Sequence, residues 1–162
     1  MRANTSLSGL AWIFVFTLLA ATGVPAAELT NARQQFITGQ YSNCIAECEQ
    51  AIASFEYEEE WRALLVKSLA ASGHYEKAGQ IISNALDRYS WSIPMRLLAH
   101  EVLPYAGATN RAGEVLREIE TLVSSRTDTR ARTADTMVAI GRAILLLGAD
   151  PRKVLDNLFE HR

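Results

Sequence analysis

Three glycines, Gly39, Gly73 and Gly107, recur at a spacing of 34 residues (73 less 39, 107 less 73), and the small residues Cys44, Ala78 and Ala112 repeat at the same interval. A fixed period of roughly 20 to 50 residues is the signature of supersecondary units stacked in a row. Each unit in such a stack buries its apolar face on the next, so the architecture is quasi-one-dimensional. A stack of this kind offers an extended inner wall to another chain, which points to a binding scaffold rather than a catalyst.

The units read as helical hairpins. In the second, Trp61, Leu64, Leu65, Ser68 and Leu69 recur at three-and-four spacing, which marks one face of a helix starting near Glu58. Gly73 ends it, because a residue without Cβ enters the left-handed conformation of a helix terminus at no steric cost. His74 and Tyr75 make the turn, and Glu76 to Arg88 resumes the pattern through Ala78, Ile81, Ile82, Ala85 and Leu86.

The segment Ser72-Gly73-His74-Tyr75-Glu76-Lys77-Ala78 resembles the turn of the tetratricopeptide repeat family, whose unit is about 34 residues long. Gly39-Gln40-Tyr41-Ser42-Asn43-Cys44 matches it one period earlier, with Cys44 in place of the small alanine, and a second small residue follows in both units at Ala51 and Ala85. The third copy keeps Gly107 and Ala112, loses the aromatic, and has Ile119 where the second small residue would be. The family's closing proline is replaced by Glu56, Ser90 and Ser124. Pro104 falls late in the first helix of the third unit, which predicts a kink or an early ending there. The resemblance covers about residues 29 to 123 and implies an all-α, right-handed solenoid of about three helical hairpins, followed by a C-terminal helical pair. In that fold Gly39, Tyr41, Cys44, Ala51, Gly73, Tyr75, Ala78, Ala85, Gly107 and Ala112 pack the repeats, and Trp61, Trp91 and Tyr75 are expected between neighbouring units.

Residues 1–27 read as a signal peptide: Arg2 supplies a basic start, Leu10 to Ala21 an apolar run, and Pro25-Ala26-Ala27 a small-residue cleavage site. The chain is therefore expected to be exported, periplasmic or extracellular in a bacterium, with retention as a membrane anchor through residues 7–24 as the alternative. Three hairpins are expected over 28–123 and a helical hairpin, a possible cap, over 124–162. There a polar connection from Ser124 to Thr129 precedes a helix from Arg130 to Leu147, and Asp150-Pro151 caps a last helix with Val154, Leu155, Leu158 and Phe159 on one side. Export would leave 15 bases against 18 acids, since the leader carries Arg2 and no acid, and this balance gives no footprint for nucleic acid.

Catalytic chemistry is not legible. The histidines His74, His100 and His161 are dispersed, and Pro104 occupies the position a zinc-protease motif opening at His100 would need for its second ligand. The acids Glu56, Glu58, Glu59 and Glu60 read as a helix start favoured by the dipole. Cys44 and Cys48, four apart on one helix, are too far apart for a comfortable disulfide and read as small packing residues. No enzyme, metal, cofactor, nucleic acid or small-molecule substrate is expected.

In the family the inner wall comes mainly from the first helix of each unit. The resemblance places Arg33, Phe36 and Ile37, then Lys67, Ala70 and Ala71, then Glu101, Pro104 and Tyr105 on that wall. Arg33, Phe36, Lys67, Glu101 and Tyr105 are the expected partner-binding residues, because aromatic and cationic side chains dominate interface energetics. The asparagines of the family's carboxylate clamp are missing. The expected partner is a protein or peptide; the rival readings are a structural N-terminal fragment or subunit of a longer repeat protein and a cysteine-based metal or redox protein.

Overall fold

The computed structural model describes residues 25–54, 59–125, 133–148, 150 and 152, which form seven helices and no strand. These are α1 (Pro25–Ile37), α2 (Tyr41–Ser54), α3 (Glu59–Ala71), α4 (Tyr75–Arg88), α5 (Ile93–Val102), α6 (Thr109–Ser125) and α7 (Ala134–Leu146). Residues 1–24 of the leader expected over 1–27 lie outside the described residues, as do Glu56, Glu58 and, Arg152 apart, the last helix expected from Pro151, while Pro25 to Ala27 form the start of α1.

One turn, used three times, makes the hairpins. Gly39, Gly73 and Gly107 have φ of 77°, 83° and 80°, a region in which a side chain is strained. At each, the glycine N–H bonds the carbonyl three residues back and the next N–H bonds the carbonyl five back, as in Gly73 to Ala70 at 3.0 Å and His74 to Leu69 at 2.8 Å. Two orphan carbonyls of the ending helix are satisfied and the chain reverses. Gly148, with φ of 84° and a bond to Leu145 of 3.0 Å, ends α7 with the same opening move.

The helices pair as α1 with α2, α3 with α4 and α5 with α6, while α2 on α3 and α4 on α5 join the pairs. On the opposite side α1 meets α3, α3 meets α5, and α5 meets α7. Small residues let the helices approach. Cys44, Ala51, Ala78, Ala85 and Ala112 are all buried. Gly79 lies so close to the turn after α5 that a Cβ built on it would stand 2.6 Å from the Ala106 Cβ.

Several expectations shift. Trp61 is fully buried in the main core as expected, and Tyr75, though partly exposed, meets Tyr105 of the next unit, but Trp91 is 54% exposed. Trp91 lies just before α5 and outside it, because Ser92 caps that helix by accepting from Met95 N at 3.1 Å and Pro94 follows in the first turn. The residue one period after Trp61 is Met95 (61 plus 34), and it takes the buried place. α5 ends at Val102, where Pro104 withholds the next helical donor, as predicted. α6 runs through Ser124 and Ser125 rather than ending before them, and α7 begins at Ala134, capped by Thr133; the stretch around Arg130 lies outside the described residues.

The period breaks after the third unit for a packing reason. Ile119, in place of a second small residue, is fully buried in a separate cluster with Ile93, Leu97, Leu116, Ala139, Ile140 and Ala143, which docks α7 on α5 and α6. A buried cation braces the same region: Arg96, 8% exposed, donates to Glu118 at 3.0 Å and to the Ser92 carbonyl at 3.2 Å, and Arg111 donates to Glu118 at 2.6 Å. Burial alone would raise the Glu118 carboxyl, but the hydrogen bonds from Arg111 and Arg96 outweigh it and hold its pKa below the ordinary value. A carboxyl depressed in the folded state stabilises the fold above its unfolded pKa and loses that contribution as pH falls through the folded one. Denaturant stability is therefore expected to decline below about pH 4.3, with a shallower decline in Glu118→Gln, which also loses about 1–2 kcal/mol at neutral pH. Equal acid slopes in the two proteins would show that Glu118 carries no such linkage.

Candidate interaction groove

Each turn glycine fixes a register for the helix before it. Six residues earlier stand Arg33, Lys67, Glu101 and Arg142 (39 less 33, 73 less 67, 107 less 101, 148 less 142), so these four occupy one equivalent position on α1, α3, α5 and α7. All four line one open groove of about 730 Å³. Phe36 and Ile37 line it from α1, and Leu64, Leu97, Leu98 and Ala139 supply buried apolar surface from α3, α5 and α7. Trp91 and Val138, both more than half exposed, add large apolar side chains.

Of the five residues expected to meet a partner, the structure thus brings Arg33, Phe36, Lys67 and Glu101 together. Tyr105 is elsewhere. It follows the end of α5, is 70% exposed, and stacks on Tyr75 of the preceding unit with ring centroids 5.3 Å apart and planes at 25°. Ala70, Ala71 and Pro104 do not line the groove either. Sequence reasoning missed Arg142, because it lies 41 residues after Glu101 (142 less 101) and not 34. It also missed Trp91 as a groove residue, having placed it in the core.

Charge in the groove is mostly spent within it. Arg33 holds Glu60 at 2.8 Å, joining α1 to α3, and Arg142 holds Glu101 at 2.6 Å, joining α5 to α7. The Glu59 carboxylate accepts from the Ser92 hydroxyl. Lys67 is exposed, and among the described residues no carboxylate lies within ion-pair distance of it.

Reactive groups lie apart from this groove. Ser72 Oγ and His74 Nδ1 are 2.9 Å apart at a hairpin turn, where the hydroxyl also reaches the Ser68 carbonyl at 2.8 Å. The thiols of Cys44 and Cys48 are free and fully buried, with sulfurs 4.0 Å apart, and the Ser68 hydroxyl donates to Cys44 at 3.1 Å. Burial, and then Cys44 beside it, pushes the Cys48 thiol far above its ordinary range. Both thiols are expected to resist a thiol reagent in the folded protein and to react at once on unfolding; rapid labelling under native conditions would contradict this packing. Among the described residues no three His, Cys, Asp or Glu side chains are grouped to hold a metal ion.

No protein-family model matches the sequence, and no curated protein matches it. Solved structures do. The type III secretion translocator chaperone SycD of Yersinia enterocolitica superposes with a TM-score of 0.57 at 14% identity, over 77% of this chain and 95% of that one. The fold is tetratricopeptide-like. A tetratricopeptide-like protein from Chlorobium tepidum gives a TM-score of 0.52 at 18% identity, over 77% of this chain and 94% of its own. At such identities the likeness shows the tetratricopeptide-like architecture, and it agrees with the helical hairpins described above.

Proposed function

We propose that this chain is a non-catalytic scaffold that holds a segment of a partner protein in the groove, in the cell envelope or outside the cell. One observation carries the reading: the four alternate helices α1, α3, α5 and α7 place an equivalent side chain, Arg33, Lys67, Glu101 and Arg142, along one open wall. Such a wall is preformed, because each unit is locked by burial on the next, and a preformed surface binds without the ordering cost a loop would incur. The likeness to a translocator chaperone supports a protein as the partner. Residues 1–27 would direct export, and mass analysis of the native protein is expected to find its first residue near Ala27.

A photo-crosslinking amino acid placed at Lys67 or Trp91 is expected to give a discrete protein adduct in intact cells. The same group at Gln80, exposed on α4 and outside the groove, is expected to give none. Equal adducts at all three positions, or none at any, would remove the groove assignment.

A further inference from the structure

The rungs of the groove differ in what they leave for a partner to satisfy. Arg33 and Arg142 already hold carboxylates at 2.8 and 2.6 Å, whereas Lys67, on the helix between them, holds none among the described residues. The opposite charges without a cation, Glu59 and Asp135, lie in the first turns of α3 and α7, where the helix dipoles support them, and Glu59 also accepts from the Ser92 hydroxyl. The groove that Lys67 lines also exposes large apolar side chains, Ile37 after Phe36 on α1, Trp91 before α5 and Val138 on α7. We infer that the segment held here is an apolar stretch of a protein carrying one internal aspartate or glutamate, whose carboxylate pairs with Lys67. The inference rests on the groove reading above and specifies its ligand.

A segment that covers Ile37, Trp91 and Val138 removes apolar surface from water, which drives association. The same cover strips water from the Lys67 ammonium, and a buried cation without a partner is costly. A carboxylate restores charge-assisted hydrogen bonds; an amide, a methyl or a second cation does not. Only one ammonium needs an acid, since Arg33 and Arg142 are occupied, so a highly acidic segment gains little over a singly acidic one and meets Glu59, Glu60, Glu101 and Asp135 as like charges. Packed helices lie about 8–10 Å apart and an extended chain advances about 3.3 Å per residue. The apolar side chain that reaches α5 therefore lies about three residues from the acid.

The test is a displayed library of random dodecapeptides, fused through their C-termini so that no terminal carboxylate is present, panned against the full chain and in parallel against Lys67→Glu. The expected selections carry one acid with an apolar residue about three positions away against the native protein, and a lysine or arginine in place of the acid against Lys67→Glu. Synthetic selected peptides with blocked termini are expected to bind Lys67→Gln roughly tenfold more weakly, and to bind Lys77→Gln, which changes an exposed base paired with Glu49 outside the groove, with unchanged affinity. If the selected peptides are lost on Trp91→Ala and Val138→Asp but show no acid preference, the acid inference falls and the groove reading stands. If the selected peptides bind those two variants as well as the native chain, or no peptide is enriched at all, the groove reading falls with it.

Discussion

Trp61→Ala is expected to cost about 3–5 kcal/mol, the largest loss from any single truncation in the stack. The side chain is fully buried on α3, in the cluster that includes Ala32 of α1, Cys44 and Cys48 of α2, and Ile82 of α4, so its removal opens a cavity where two hairpins meet. The small members of that cluster, such as Cys44, Cys48, Ala78 and Ala85, have no side-chain length with which to fill such a cavity. A domain of this size has roughly 5–15 kcal/mol of total stability, and the variant is expected to unfold at a far lower denaturant midpoint. The indole adds a distinguishing feature: Nε1 is buried with no hydrogen-bond partner among the described residues. An unpaired buried donor costs about 1–3 kcal/mol, so Trp61→Phe deletes a liability along with part of the volume and is expected to lose about 1 kcal/mol or less. Urea unfolding of the two variants decides it. A phenylalanine variant as unstable as the alanine one would mean that the indole nitrogen is satisfied in solution.

The fold was legible where one residue type has one physical job. Gly39, Gly73 and Gly107 are required by a left-handed backbone angle, and Ala78 and Ala85 by close helix approach, so both left a period in the sequence. Trp91 was misplaced because large aromatics usually pack between repeats, yet Ser92 followed by Pro94 was a readable helix start that puts Trp91 outside the helix. Arg142 was overlooked for a related reason. The bulk of Ile119 and the separate cluster it joins lengthen the third unit, and only counting back from Gly148 instead of forward from Glu101 restores the register. Tyr105 was assigned by that forward count, but α5 ends before it. The ion pairs of the groove had no signature at all, because Arg33 meets Glu60 only through the offset at which α1 settles on α3.

Gly79→Ala and Gly113→Ala are expected to change stability in opposite directions, although both replace an interior helical glycine with the better helix former. In isolation each substitution gains roughly 1 kcal/mol of helix propensity. At Gly113 the nearest atom to the new methyl would be the Arg117 Nη1 at 3.9 Å, an ordinary contact with a mobile tip, so the gain is expected to be kept. At Gly79 the new Cβ would stand 2.6 Å from the Ala106 Cβ, and an alanine methyl has no rotamer by which to withdraw. The backbone of α4 or of the turn after α5 has to move, which costs about 1–3 kcal/mol for a single added methyl in a packed core. A cost near the upper end, less the propensity gain, leaves Gly79→Ala about 2 kcal/mol less stable than the native chain. The movement also has a functional reading. The Ala106 turn is anchored to α5, and α5 carries Glu101, whose bond to Arg142 ties two walls of the groove together. Gly79→Ala is therefore expected to weaken peptide capture at temperatures where the variant is still folded, while Gly113→Ala captures as well as the native protein. Thermal unfolding of the pair, with peptide binding measured below both transitions, separates the two effects; a Gly79→Ala protein as stable as Gly113→Ala would mean that α4 and the turn after α5 do not approach this closely.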